Sequence, residues 1–184
     1  PITATGVNRA SHRANPALNA AISRLSTYRE EHMENTNKDH ISVLQKLIEI
    51  CRNAQEGFRT AAEHVKDSSL KHFFNQQSLE RAQFAGELEN IVQRLGKHDP
   101  DRAPGVGGKM HSVWMDIKSA LGGGDHAILN SVEAGEDTAK KEYENAIKAG
   151  LPVDIREVVA RQSATVINTH DRVRTLRDQF KNAA

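Results

Sequence analysis

Apolar residues recur every three or four positions along four long stretches of this chain, a spacing that is typical of amphipathic helices. The clearest stretch runs from Ile41 to Val65, and the others occupy residues 70–95, 125–150 and 152–180. Only 38% of the residues are hydrophobic and 4% are aromatic, which is little material for a β-sandwich or an α/β core. A helical bundle needs only one apolar stripe per helix, so the sequence predicts an all-α fold.

Glycine residues divide the four predicted helices into two hairpins. The first helix begins near residues 37–39, and the second ends at Gly96, while the second hairpin turns at Gly150. Residues 97–124 form a long connection that contains a short helix and can cross the height of a bundle. We therefore predict an all-α, ferritin-like four-helix bundle, in which two helical hairpins are joined by a long crossover with a short helix.

The first 35 residues form an extension to the predicted bundle, which occupies residues 36–184. Within this extension Leu18, Ile22 and Leu25 fall at helical spacing and predict a short amphipathic helix over residues 16–31. So short a helix is not stable alone and must pack on the bundle, pack on another subunit or stay loose. We expect a homo-oligomer, with this N-terminal arm as one route to self-association.

Charge and cysteine content exclude several classes of protein. The chain has 25 Lys and Arg residues against 24 Asp and Glu residues, whereas nucleic-acid and membrane-surface binders usually show a basic excess. No run of apolar residues is long enough for a membrane span or a secretory signal, so we expect a cytoplasmic protein without nucleic-acid or membrane partners. The single cysteine, Cys51, excludes an intramolecular disulfide, and its place on the apolar stripe predicts an inert buried thiol.

Polar residues interrupt the apolar stripes at matched positions of the two hairpins. The sequences of the two hairpins can be aligned with Cys51 opposite Val132. Residues on two antiparallel helices lie level when they are equally far from the turn, and the predicted turn of the second hairpin then places Glu136 level with Gln162. If a pseudo-twofold axis relates the hairpins, these residues form one polar layer near the middle of the bundle. The predicted layer contains Gln55, Gln77, Glu80, Arg81, Glu136 and Gln162. We expect Arg81 to pair with Glu136 or Glu80.

Ferritin-like carboxylate proteins hold two metal ions in such a layer, using a Glu from each of two helices and a Glu-x-x-His pair from each of the others. This chain has Gln55 where a Glu is needed, and neither Glu nor His at Gln162 or at Thr165. Neutral amides do not compensate the charge of two metal ions, so we predict no cofactor and a vestigial site whose polar groups bond to one another. The alternative is an iron or manganese centre with Glu80, Glu133, Glu136 and His170 as candidate ligands.

Other residues give weaker signals. His111, Trp114 and Met115 are interpreted as an apolar clip that holds the crossover on the bundle. The glycine-rich segments follow no predicted strand and do not resemble phosphate loops. No spacing of Ser, Cys, His and Asp compels a catalytic role, and we assign no catalytic residue.

Five segments, in order, resemble a bacterial family of ferritin-like four-helix-bundle proteins of unknown function. The first runs from MENTN (residues 33–37) through LIEICRNAQEGFRTAAEHVKD, and the others are LERAQFAGEL, HSVWMDIKSAL, VEAGEDTAKKEY and HDRVRTLRD. Together they span residues 33 to about 181. The resemblance implies a ferritin-like fold in a bacterial cytoplasmic protein with no established activity.

Two functions from different classes are compatible with these observations. The first is a non-enzymatic bundle that acts by binding or self-assembly, with a stress-related role suggested by the family resemblance alone. The alternative is a carboxylate-bridged di-iron or di-manganese protein that handles iron or peroxide.

Overall fold

The computed structural model describes residues 16–97 and 122–182, and these residues form four helices that confirm the predicted all-α four-helix bundle. In chain order they are α1 (Pro16–His64), α2 (Ser68–Arg94), α3 (Gly124–Lys148) and α4 (Val153–Asn182). The predicted crossover helix, together with His111, Trp114 and Met115, lies outside the described residues. No helix of the described part is long and apolar enough to cross a membrane.

Helix α1 is longer than the sequence analysis predicted. We expected a short helix over residues 16–31 and a new helix near residues 37–39, but a single helix runs through this region. The segment contains no Gly or Pro that would interrupt it. The hydroxyl of Thr36 donates to the carbonyl of His32 at 2.9 Å, so this side chain bonds within the continuous helix.

The described chain divides into two compact units, one up to Asn37 and one from Lys38 onward. The first unit is helical from Pro16, and all its described side chains up to Thr36 are exposed. The second unit contains the four-helix bundle and its core.

Helix ends are set by local backbone and side-chain bonds. The carboxylate of Asp67 caps α2 by accepting from the backbone N–H groups of Ser69 and Leu70 at 2.8 and 2.9 Å. At the other end the N–H of Gly96 bonds to the carbonyl of Gln93, and the next N–H bonds to the carbonyl of Val92, which is a Schellman motif. The motif requires the left-handed conformation of Gly96, whose φ is 97°, and the predicted helix stop is confirmed.

Asp125, in the first turn of α3, fixes how the two hairpins are arranged. Its carboxylate oxygens accept from the backbone N–H groups of Lys66 and Asp67, in the turn between α1 and α2, at 2.8 and 2.9 Å. Helices α2 and α3 therefore both start at this end of the bundle, and α2 ends at the opposite end from where α3 begins. This arrangement of the described helices is the one that the predicted long crossover requires.

The core of the bundle consists of two apolar clusters. The turn cluster lies near the α1–α2 turn and contains, among others, Phe58, Val65, Leu70, Phe74, Ile128 and Val173. The far cluster lies toward the α3–α4 turn and contains, among others, Leu47, Phe84, Leu88, Tyr143, Leu151 and Val159. Along α2, α3 and α4 the two clusters are separated by a stretch in which buried residues are polar.

We expect Asp125→Ala to lower the free energy of unfolding by about 2 kcal/mol, because two backbone N–H groups lose a charged acceptor. Chemical denaturation measures this change. Asp154→Ala is the matched control, since it also removes a carboxylate from the first turn of a helix, but an exposed one, and should cost at most about 0.5 kcal/mol. Equal losses in the two variants would contradict the clamping role of Asp125.

Candidate functional site

The buried polar residues of α2, α3 and α4 meet in the middle of the bundle, and we call this region the polar layer. Its buried members are Gln77, Ser78, Arg81, Glu133, Glu136, Thr169 and His170. Helix α1 takes part through its backbone, because the hydroxyl of Ser78 donates to the carbonyl of Gln55 at 2.9 Å, while the Gln55 side chain is half-buried.

Arg81 and Glu136 form an ion pair at the centre of the polar layer. Nη2 of Arg81 donates to Oε2 of Glu136 at 2.6 Å, and the two side chains are 1% and 0% exposed. The guanidinium carbon lies 5.7 Å from the ring centre of Phe58 and 5.6 Å from that of Phe84. The predicted pairing is confirmed, and the two rings belong to different apolar clusters, so the guanidinium joins them.

The pair is strongly desolvated. Burial raises the pKa of the Glu136 carboxyl above its usual value, while the Arg81 guanidinium acts in the opposite direction. Within the described chain, Oε1 of Glu136 and Nε and Nη1 of Arg81 have no hydrogen-bond partner. An incompletely bonded buried pair adds little net stability, but removing one member strands the other in an apolar interior.

The remaining predicted members of the layer occupy different surroundings. Gln77 accepts a hydrogen bond from the hydroxyl of Thr169 at 2.8 Å and thereby links α2 to α4. Glu80 is half-buried, and its negative charge contributes to the raised pKa of Glu136.

Gln162 does not lie level with Glu136, and that prediction was wrong. Its Oε1 accepts from the hydroxyl of Tyr143 at 2.8 Å, within the far cluster. A second facing pair of α3 and α4 is Asp137 with His170, whose side chains are 2.9 Å apart. The prediction assumes a turn centred near residue 149, whereas these facing pairs are symmetric about residues 152–154. A shift of about four residues in the turn centre moves the facing residue on α4 by about two helical turns.

A second buried network, which the sequence analysis missed, extends from Gln162. The sulfur of Cys51 lies 3.1 Å from the hydroxyl of Tyr143, and Nε2 of Gln162 donates to Glu87 at 2.8 Å. Arg161 also donates to Glu87, at 2.7 Å, so the network leads from a buried thiol to an ion pair at the surface. The signal was present in the sequence, because Cys51 and Tyr143 both lie on apolar stripes.

This network does not activate a nucleophile. Burial raises the pKa of Cys51 to about 11 and also raises the pKa of Tyr143, so both groups stay protonated at neutral pH. A catalytic thiolate requires the opposite shift. The predicted inert thiol is consistent with these surroundings.

Three of the four candidate metal ligands are engaged with other side chains. Glu133 pairs with Arg177, and Glu136 pairs with Arg81. Nε2 of His170 lies 2.9 Å from Asp137. Within residues 16–97 and 122–182, no group of three or more His, Cys, Asp or Glu side chains could hold a metal ion. The donor set does not fit a dimetal centre, because a guanidinium occupies the position beside the central carboxylate.

Comparison with known proteins gives a family but no activity. Residues 39–149, which include α2, α3 and about half of α1, match a family described as Domain of unknown function (DUF2383). No curated protein matched the chain.

We expect the two members of the central pair to respond differently to substitution. Glu136→Leu should lower the free energy of unfolding by about 3–5 kcal/mol, because Arg81 cannot lose its proton. Arg81→Met leaves a carboxyl whose pKa is raised and which can take up a proton. The folded state then binds more protons than the unfolded state, so the stability of Arg81→Met should fall as the pH rises from about 5 to 8.

Urea denaturation of both variants and of Arg81→Met/Glu136→Leu at several pH values measures these changes. The double variant should recover most of the loss caused by Glu136→Leu. Lys46→Met/Glu142→Leu, at a more exposed pair 2.5 Å apart, is the control and should show a coupling below about 1 kcal/mol. Equal, near-zero effects at both pairs would contradict a dry central layer.

We also expect the Cys51 thiol to resist alkylation in the native protein. A pKa raised from 9.0 to about 11 lowers the thiolate fraction at pH 8 by roughly a hundredfold, and burial restricts access further. Iodoacetamide labelling followed by mass spectrometry tests this. Cys51→Ser/Ser42→Cys moves the thiol to an exposed position of the same helix and should label at the rate of a free thiol. Equal labelling rates in the two proteins would exclude a closed site.

Proposed function

The chain belongs to the family Domain of unknown function (DUF2383), and we propose from its own residues that it is a non-enzymatic, ferritin-like helical bundle that acts by binding or self-assembly. The family description names no activity, so the proposal depends on the chemistry of the polar layer and of the exposed surfaces.

The observation that carries this proposal is the position of the Arg81 guanidinium. A dimetal centre needs several carboxylates and imidazoles around two cations, whereas here the central carboxylate of Glu136 already has a cationic partner at 2.6 Å. A fixed positive charge at this distance repels a metal ion. We interpret the polar layer as the remnant of a metal site, in which Arg81 takes the place of the metal.

The arrangement of the helices supports the ferritin-like part of the proposal. Two antiparallel hairpins in which α2 and α3 start at the same end, with polar residues at mid-height, are the arrangement that a crossover connection produces in the ferritin-like carboxylate proteins. The bacterial origin, the cytoplasmic location and the stress-related role belong to the same proposal and derive from the family resemblance of the sequence.

Binding or assembly is favoured because the buried groups are unsuited to catalysis. The thiol of Cys51 and the hydroxyl of Tyr143 have raised pKa values, and the central carboxylate is engaged with a guanidinium. The balanced charge of the chain argues against nucleic-acid partners. A bundle with these properties interacts through its exposed residues.

We expect protein purified without chelator to contain substoichiometric iron and manganese by elemental analysis. Its denaturation midpoint should not change on addition of Mn²⁺, or of Fe²⁺ under anaerobic conditions, because a ligand stabilises a protein only by binding its folded state. About two equivalents of metal per chain, lost in Glu136→Ala and retained in Glu144→Ala, would establish the alternative of a carboxylate-bridged metalloprotein. Glu144 lies on the same helix and is exposed.

A further inference from the structure

The exposed large apolar residues of the described chain are concentrated in the first unit. Leu18, Ile22, Leu25, Tyr28 and Met33 are each more than half exposed, whereas the bundle contributes only Leu79, Val153 and Ile167 to the same class. At 100° per residue the first five fall within an arc of about 140° on one side of α1. We call these five side chains the N-terminal stripe.

Isolated exposed apolar residues are normal on a protein surface, but several of them concentrated on one side of a helix indicate a surface that is covered in use. The opposite side of the same helix carries Ser23, Thr27 and Glu30, all exposed, so the unit is amphipathic. The aromatic ring of Tyr28 stacks on that of His32, with ring centres 6.1 Å apart, and this contact adds apolar surface along the stripe.

We propose that the N-terminal stripe pairs with the same stripe of a second copy of this chain, and that the two helices run antiparallel. This inference rests on the proposed function and identifies the surface through which self-assembly takes place. The pairing would place Leu25 of one copy against Tyr28 of the other, at the centre of the contact. This contact occurs twice in the dimer, and the twofold axis that relates the two helices passes between the two contacts.

Charge complementarity selects a second copy as the occupant and sets the direction. Arg24 and Glu31 lie seven residues apart and therefore flank the stripe on the same side. In an antiparallel pair, the same side of the stripe on each helix faces its counterpart on the other helix. Arg24 of each copy therefore lies next to Glu31 of the other. In a parallel pair, Arg24 instead approaches Arg29 of the other copy, and like charges repel.

Sedimentation of the full chain measures the association, and Leu25→Glu tests the stripe. We expect this variant to weaken the dimer by at least about a hundredfold, since two buried leucines are lost per dimer. Thr27→Glu is the matched control, because it adds the same charge two residues away on the opposite side of the helix, and it should leave the association constant nearly unchanged. Circular dichroism verifies that both variants retain the helical bundle.

Charge variants determine the direction of the helices at low salt, where surface pairs are least screened. Arg24→Glu and Glu31→Arg should each weaken an antiparallel dimer by about threefold to tenfold, and the double variant should restore it. In a parallel dimer Arg24→Glu would instead strengthen the association, because it places a carboxylate next to Arg29 of the other copy. That result would overturn the proposed direction.

Failure of this inference is distinguishable from failure of the proposed function. An oligomer that survives Leu25→Glu would refute the role of the N-terminal stripe, while leaving self-assembly through the bundle in place. A wild-type chain that stays monomeric at high protein concentration would refute self-assembly itself.

Discussion

The ion pair between Arg81 and Glu136 is the constraint with which the rest of the bundle has to be compatible. A guanidinium cannot be neutralised in a protein interior, so burying Arg81 obliges the fold to bring a compensating group to it. That group lies on α3, in the other hairpin. A shift of either hairpin by one residue along its axis would separate the charges. The pair therefore couples the register of the two hairpins to the electrostatics of the core.

This coupling acts together with the turn at the end of the bundle. Asp125 joins the start of α3 to the backbone of the α1–α2 turn, and the central pair fixes the same two hairpins at mid-height. Two fixed levels are enough to define the relative axial position of two hairpins. The apolar clusters then pack above and below a layer that is already aligned, which is how a chain with few large apolar residues forms a defined core.

The sequence was sufficient for the features that depend on local spacing. Apolar periodicity predicted the helices of the bundle, and Gly96 marked the end of α2. The position of Arg81 on a core stripe predicted pairing with Glu136 or Glu80, and the structure shows the pair with Glu136. These features depend on the pitch of a helix and on the conformational freedom of glycine, both of which are properties of the local chain.

The sequence was insufficient where a small local error is amplified or where two local preferences compete. Misplacing the centre of the α3–α4 turn moved Gln162 by two helical turns into the wrong layer, since the error doubles across an antiparallel pair. The polar segment at residues 32–39 suggested a new helix start, but it contains no Gly or Pro that would break a helix, and Thr36 bonds within a continuous helix. Contacts such as Cys51 with Tyr143 join residues of different hairpins and follow only once the register is known.

A metal ion and a guanidinium are alternative solutions to the same electrostatic problem, which is a carboxylate buried at the middle of a bundle. In a metal site, the stability of the fold depends on the availability of the metal ion, since the carboxylates repel one another when the metal is absent. The guanidinium is covalently part of the chain, so Arg81 compensates Glu136 at all times. Under the proposed function, Arg81 stands where a metal ion would bind, so binding or loss of a metal ion cannot change the conformation of this protein. Any response to conditions must then come from the outer surfaces, and most of the exposed large apolar residues of the described chain belong to the N-terminal stripe.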